Sequence, residues 1–288
     1  MNWLAWFPRW PVVTDGAWGT ELQDKGLSPG ECPDAWNLSH PERVAEVARI
    51  YRTAGSAVIL TNTFRSNRVS LAGFGLADRV KEINVAGAQL SKRAEGARVF
   101  GSMGPTGKLL VAGDITSEEV FEAFQEQAQA LAEGGVDALL VETMSDREEA
   151  AVAVRAAKTT GLPVVVSFAF DSGKNKDRTM TGVSPEQAVK TAMEAGADAV
   201  GANCGVGIEQ FAIVCRRMRA VTELPLWMKA NAGLPEMEGE RIVYRTSPGA
   251  FAGMVPQLIE AGANFVGGCC GTGPALIRAI CSRIRYAA

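Results

Sequence analysis

Histidine is almost absent from this sequence, since His40 is the only one among 288 residues. A Ser-His-Asp triad would have to use His40, and a metal site made of several histidines is excluded. His40 stands directly before Pro41 and a helix-like run, so we expect it at the N-terminal flank of a helix. Any metal site in this chain must therefore be built from other ligands.

Strong net charge and long apolar runs are also missing. The formal net charge of −3 gives no reason to expect nucleic acid or an anionic membrane as a partner. No apolar run approaches the roughly 20 residues that span a bilayer. The apolar segment 1–10 lacks the basic start of a signal peptide, so we expect a cytoplasmic protein with reduced thiols. The tryptophans of this segment predict an amphipathic turn that packs on the domain or, in a homo-oligomer, on a partner subunit.

Short apolar runs alternate with longer amphipathic stretches from residue 11 to residue 288. This alternation predicts parallel βαβ units, and eight units indicate a single (β/α)8 TIM barrel domain. A doubly wound open sheet would normally show a G-x-G-x-x-G fingerprint after its first strand, which is absent here. The predicted strands are 11–15, 57–61, 98–102, 138–142, 164–168, 198–203, 225–231 and 264–268.

Thiols follow two of these strands, at the end of the barrel where (β/α)8 active sites lie. Cys204 follows the sixth strand, and the adjacent Cys269 and Cys270 follow the eighth within a glycine-rich run. Only one strand lies between the two ends, so the three thiols can meet at one mouth. Three thiolates suit Zn²⁺ and leave its fourth position open, as in catalytic zinc sites.

The residues alone leave other interpretations of the paired cysteines open. The pair can lie in a tight turn without metal, form a strained vicinal disulfide, or belong to a phosphate-binding loop. Cys215 and Cys281 stand among apolar residues at helical spacing, which predicts core positions. Cys32 lies in a predicted loop and receives no role.

Charged residues end three other strands: Asp15 the first, Glu142 the fourth and Lys229 the seventh. The two carboxylates can bind an ammonium group or share acid–base work, although Asp15 also suits a helix N-cap. We expect Lys229 to pair with a carboxylate at the rim. A Schiff base at Lys229 would instead make the chain a phosphate-binding lyase or aldolase.

Seven motifs resemble the homocysteine S-methyltransferase family in their order along the chain, over about residues 10–285. That family includes the homocysteine-binding module of cobalamin-dependent methionine synthase, betaine–homocysteine methyltransferase and enzymes that use S-methylmethionine. The motifs are VVTDGAWGTEL, VILTNTF, GPTG, LLVETMSD, GANCG, KANAG and VGGCCGT.

The resemblance implies the roles of the site residues. Cys204, Cys269 and Cys270 would bind one Zn²⁺ per chain, and the catalytic carboxylates Asp15 and Glu142 would meet the amino group of homocysteine. The lesser substrate contacts that it implies are Asn203, the backbone of Gly16 and Ala17, and the pocket-lining Thr63 and Phe64.

The implied reaction moves a methyl group from an unidentified donor to the thiol of homocysteine, which gives methionine. The donor can be a small molecule or a corrinoid protein. No folate- or corrinoid-binding domain is recognised in the sequence, so we expect a corrinoid donor to arrive on a separate protein. In the alternative, the chain is the thiol-binding subunit of a multi-protein corrinoid system acting on homocysteine or another thiol. A non-catalytic metal- or thiol-binding protein would carry the same residues.

Overall fold

A computed structural model describes residues 2–239 and 241–284 of the chain. Eight of its strands are parallel and form one sheet. They are β1 (Val12–Val13), β2 (Val58–Leu60), β3 (Arg98–Met103), β4 (Ala138–Met144), β5 (Val164–Phe168), β6 (Ala199–Gly207), β7 (Leu226–Asn231) and β10 (Phe265–Gly268). The two remaining strands, β8 (Glu236–Glu238) and β9 (Arg241–Val243), form an antiparallel hairpin between β7 and β10.

Helices follow the strands of the sheet and cover its outer face. Their ends carry standard signals: Thr116 and Glu119 form a capping box at the start of the sixth helix, and Gly55 ends the third in a left-handed conformation. The helices are α1 (Trp18–Asp24), α2 (Trp36–Ser39), α3 (Pro41–Ala54), α4 (Arg68–Ala72), α5 (Val80–Lys92), α6 (Ser117–Glu133), α7 (Arg147–Lys158), α8 (Pro185–Ala195), α9 (Ile208–Arg219), α10 (Pro248–Glu260) and α11 (Pro274–Arg283).

The parallel sheet closes into a barrel. Its strand order is β1-β10-β7-β6-β5-β4-β3-β2, and a parallel bridge joins Thr14 to Val58 across the remaining gap. The amide of Ala57 also donates to the carbonyl of Val13 at 2.8 Å across this seam. The prediction of a (β/α)8 barrel is therefore confirmed.

The barrel interior is a separate apolar layer inside the main core between sheet and helices. Phe100, Trp227 and Phe265 fill it, and the ring of Trp3 stacks on Phe265 with centroids 5.6 Å apart. Because Phe265 begins β10, Trp3 and the buried Phe7 lie at the N-terminal end of the barrel. The apolar segment at the start of the chain thus packs on its own domain.

Two strands extend further than predicted, and the extensions matter for the site. β4 continues past Glu142 to Met144, and β6 continues past Asn203 to Gly207, each with an irregular register near its end. In both irregular stretches a non-glycine residue takes a positive φ: 61° at Thr143 and 58° at Cys204. These bulges re-aim the side chains beside them, as bulges next to active sites commonly do.

The remaining single-residue predictions also have clear outcomes. Cys215 is fully buried in the main core, as predicted, whereas Cys281 is partly buried and packs against that core. Cys32 is buried in a small cluster with Leu71. His40 is the residue that precedes α3, as predicted. Among the described residues, no helix is both long and apolar enough to cross a membrane.

Candidate active site

A cavity of about 350 Å³ opens at the C-terminal end of the barrel. Its wall contains the thiols of Cys204, Cys269 and Cys270, and the charged side chains of Glu142 and Lys229. The start of α1, Asp34, the loop after β2 and Ser102 also contribute to the wall. The structure thus brings residues from eight parts of the chain to one place, where barrel active sites are found.

The three thiols form a compact cluster. All three Sγ atoms lie within 4.8 Å of one another, and the Cys204 and Cys270 sulfurs are 3.8 Å apart. Two ligands of a tetrahedral zinc with bonds of about 2.3 Å are separated by about 3.8 Å. In spacing and in chemistry, the donor set therefore fits a zinc ion with three protein ligands.

The backbone around the paired cysteines is fixed by several bonds. Cys269 donates its amide to the Ala230 carbonyl at 2.8 Å, and Cys270 donates to Asn231 Oδ1 at 3.0 Å. Gly271 follows with a φ of 76°, a left-handed conformation that glycine adopts at little cost. This turn ends the regular strand, so the alternation of side chains that would separate two neighbouring thiols no longer applies.

The thiols share their protons unequally. Contacts with Cys269 and Cys270 lower the pKa of Cys204 to about 3. The contact with Cys204 raises the pKa of Cys270 to about 11, and it also raises the pKa of Cys269 well above its ordinary value. The cluster readily carries one negative charge, and a bound dication would favour the further ionisation that thiolate ligands need.

The same loop argues against two of the alternatives. Both cysteines are free thiols, so no vicinal disulfide joins them. A phosphate cradle needs amide groups that point at the ligand. Here the amides of residues 268–272 all donate to acceptors within the protein: Asp15 O, Ala230 O, Asn231 Oδ1, Thr20 Oγ1 and Cys269 O.

Asp15 lies beside the cavity, and both of its carboxylate oxygens accept hydrogen bonds from the protein. Its Oδ2 accepts from the Trp18 indole at 2.8 Å and from the Leu60 amide at 2.7 Å. Its Oδ1 accepts from Lys229 Nζ at 2.5 Å. The carboxylate is completely buried, and it is not part of the cavity wall. Lys229 thus has the carboxylate partner expected for it, but both groups are buried instead of lying at the rim.

Glu142 lies in the cavity wall with one oxygen bound. Its Oε1 accepts from Ser102 Oγ at 2.5 Å. Burial raises the pKa of Glu142, and the nearby ammonium of Lys229 partly offsets this effect. Among the described residues Oε2 receives no hydrogen bond, so Glu142 offers the cavity an acceptor that Asp15 does not.

The remaining predicted contacts differ in their access to the cavity. Phe64, Gly16 and Ala17 lie in its wall, but the Ala17 amide already donates to the Thr272 carbonyl at 3.0 Å. Asn203 and Thr63 are fully buried outside the wall. Their predicted contacts with the substrate stay predictions.

Some residues of the site were not found from the sequence. Asp34, from the 3-10 helix Pro33–Ala35 directly before α2, lines the cavity, and burial raises its pKa to about 6. Tyr244, just after β9, places its hydroxyl beside Cys270 and its ring against Gly271. Asp34 has no strand end to mark it, and Tyr244 follows a hairpin that lies outside the predicted strands. Ser102 and Asn231 do end predicted strands, which is the signal that could have identified them.

Sequence comparisons with known proteins agree with one another. The profile of the family described as homocysteine S-methyltransferase matches residues 12–284. Methionine synthase of Mycobacterium tuberculosis is 30% identical over 291 residues, covering 95% of this chain and 24% of that protein. Methionine synthase of Mycobacterium leprae gives the same identity and coverage. The chain therefore spans about a quarter of the length of these relatives.

Solved structures agree with the fold. The homocysteine methyltransferase MmuM from Escherichia coli, in its metallated form, matches with a TM-score of 0.80 at 24% identity, covering 96% of this chain and 97% of that one. Its apo form matches with a TM-score of 0.74 at 22% identity. These likenesses extend over nearly the whole barrel.

Proposed function

The chain belongs to the homocysteine S-methyltransferase family, and we propose that it methylates the thiol of homocysteine, giving methionine, at a zinc site formed by Cys204, Cys269 and Cys270. The observation that carries this proposal is the three-thiol cluster in the wall of a cavity large enough for a small amino acid. The resemblance of the fold to a homocysteine methyltransferase with a metallated form supports it.

Zinc, when bound, would accept the substrate sulfur at its open position and keep it as a thiolate. The protein residues supply the rest. The three cysteine sulfurs lie together in one part of the cavity wall. A substrate sulfur that joins them would therefore lie inside the cavity, next to this cluster. Glu142 offers Oε2 to the substrate ammonium. The thiolate would attack the methyl carbon of the donor, forming the new S–C bond as the bond from that carbon to the donor breaks and the demethylated donor leaves.

In this proposal the methyl donor reaches the site by a route other than the cavity that binds homocysteine. A groove of about 1290 Å³ lies next to the substrate cavity, between the loop and helix after β2 and those after β3. The two spaces share Phe64 and Arg65. A methyl donor lying in the groove would therefore reach the sulfur past Phe64.

A second candidate keeps the same site but changes the donor to a corrinoid carried by a separate protein. The observation that favours it is the partial match to methionine synthase, of which this chain covers 24%. Both candidate functions require the three cysteines of the site to be reduced, as thiols in the cytoplasm are.

Metal analysis and a donor screen test the proposal together. We expect about one zinc per chain, which is lost in Cys269→Ser and retained in the matched control Cys281→Ser, whose thiol lies outside the site. Zinc-loaded protein is then assayed with homocysteine and S-methylmethionine, betaine, S-adenosylmethionine or a methylated corrinoid protein. Full activity without zinc, or no methionine from any donor, would contradict it.

A further inference from the structure

A second cavity lies at the other end of the barrel, away from the thiols. Its wall includes Val12 and Arg98, which begin β1 and β3, and Ala57, which directly precedes β2. Because parallel strands begin at the same end of a barrel, this cavity is at the N-terminal end. Its volume is about 760 Å³, within the range of small-molecule sites.

The wall of this cavity is positively charged. It contains Arg9, Arg52 and Arg98, and no carboxylate from the part of the chain that the structure describes. Asp137 pairs with Arg98 at 3.0 Å, but it also accepts from Lys92 at 3.3 Å. The whole chain has a net charge of −3, so composition does not account for this cluster of arginines. We call the cavity the arginine cleft.

Arg52 is held in place with most of its donors unused. Its Nε donates to the Glu95 carbonyl at 3.1 Å, and a Cβ at Gly96 would lie 3.1 Å from Arg52 Nη2. A larger residue at position 96 would therefore crowd the guanidinium. An arginine side chain carries five N–H donors, and the bond from Nε is the one that Arg52 donates to described residues. Since Arg52 is half-buried in the wall of the cleft, a ligand there can accept from its terminal nitrogens.

Arg98 is fixed by two contacts. Its guanidinium carbon lies 4.8 Å from the centroid of the Trp6 ring, and its Nη1 donates to Asp137. This is its hydrogen bond to described residues, which leaves Nε and Nη2 as further donors. Planar guanidinium groups held in this way match the oxygens of a phosphate, to which they can donate two parallel bonds.

We propose that the arginine cleft binds the phosphate groups of a small phosphorylated molecule, up to the size of a nucleotide. Phosphate oxygens would accept from Arg52 and Arg98, and the charge of Arg9 would add to the attraction. The bound group would join three parts of the chain: the N-terminal segment at Trp6, α3 at Arg52 and β3 at Arg98. The site does not depend on the proposed function, because it lies at the end of the barrel opposite the thiols.

Calorimetry on the full chain at low ionic strength, where charge attraction is least screened, tests the proposal. Pyrophosphate, ADP and adenosine are the three probes. We expect pyrophosphate and ADP to bind, and adenosine to bind at least about tenfold more weakly than ADP, since it lacks the phosphates. Equal affinities for pyrophosphate and ADP would show that the phosphates alone are recognised. Tighter binding of ADP would show that the cleft also contacts the rest of the molecule.

Arg52→Met should lower the affinity for pyrophosphate by about tenfold or more, the effect of losing charge-assisted hydrogen bonds. Arg49→Met is the matched control. Arg49 lies on the same helix and is exposed outside the wall of the cleft, so its loss changes the net charge equally. Its affinity for pyrophosphate should stay within about twofold of the wild type, because exposed charges outside the site are largely screened.

Thermal unfolding is recorded for each variant. Pyrophosphate should raise the unfolding midpoint of the wild type and raise that of Arg52→Met less, because a ligand stabilises the folded state in proportion to its binding. If Arg52→Met does not fold, Arg98→Met takes its place and is judged by the same ratio.

Three results would overturn the proposal: a wild type that binds neither pyrophosphate nor ADP, adenosine bound as tightly as ADP, or equal affinities in Arg52→Met and Arg49→Met. The last result would place the anion elsewhere, for example at a metal held by the thiols.

Discussion

Asn203 and Thr143 hydrogen bond to each other twice, and so tie the bulge that carries Cys204 to the bulge that carries Glu142. The Thr143 amide donates to Asn203 Oδ1 at 2.8 Å, and Asn203 Nδ2 donates to Thr143 Oγ1 at 2.7 Å. Ser167 on the strand between them adds a third bond, from its Oγ to Asn203 Oδ1 at 2.7 Å. The two positive-φ residues of the site are thus held by one buried amide.

Replacing Asn203 should therefore affect both the fold and the metal site. We expect Asn203→Ala to lower the free energy of unfolding by about 2–3 kcal/mol, because the Thr143 amide and the Ser167 hydroxyl lose their acceptor inside the protein. Zinc affinity, measured by chelator competition, should fall by about 10- to 100-fold, as when other residues that orient ligands are removed.

Thr143→Val is the matched control for Asn203→Ala. It is similar in shape and keeps the Thr143 amide, and so removes only the bond to Oγ1. Its effects on unfolding and on zinc affinity should both be smaller. If Asn203→Ala binds zinc as tightly as the wild type, Asn203 does not support the cysteines.

Asp34 should make stability depend on pH. Its Oδ1 accepts from the Arg65 amide at 3.0 Å and from Ser66 Oγ at 2.8 Å, but burial dominates and raises its pKa from 3.8 to about 6. A raised folded-state pKa means that the folded protein binds the proton more tightly. The resulting stability is fully present below pH 3.8 and is lost as the pH rises through about 6.

Asp34→Asn keeps an acceptor oxygen and removes this titration. Its free energy of unfolding relative to wild type should therefore rise by up to about 3 kcal/mol between pH 4 and pH 7, when urea unfolding is followed at each pH. The fully exposed Asp78 provides the control variant, Asp78→Asn, which should show no such trend. A difference between Asp34→Asn and wild type that does not vary with pH would count against this account.

Trp3 should stabilise the barrel from its N-terminal end. Its ring stacks on Phe265 at 5.6 Å and is only 6% exposed. We expect Trp3→Ala to cost about 3–5 kcal/mol in the free energy of unfolding, as for other buried aromatic residues. Trp10 also contacts Phe265, but it is 37% exposed, so Trp10→Ala should cost clearly less. Equal losses would show that the segment does not pack as described.

Many strands of the barrel could be predicted from the local pattern of apolar residues in the sequence. Strand cores such as 164–168 were predicted with their observed bounds, because a strand buried on both faces is a continuous apolar run bounded by turn residues. The extensions of β4 and β6 were missed, because a bulge depends on the neighbouring strand and leaves little local signal. The hairpin of β8 and β9 is not predicted, because its strands have only three residues each and its apolar Met237 and Ile242 are exposed and so give no core pattern.

The chemistry of the site follows from the order of residues along the chain, which has three cysteines at strand ends and carboxylates at two others. Residue types and their order along alternating strands suffice for this, since parallel strands bring their C-terminal ends together. Only the tertiary structure decided which charges meet. Asp15 and Lys229 are 214 residues apart in the chain, and no local pattern records that closing the barrel places them 2.5 Å apart. That contact gives each of the two buried charges its partner, because a buried charge is satisfied by whatever group the fold brings to it.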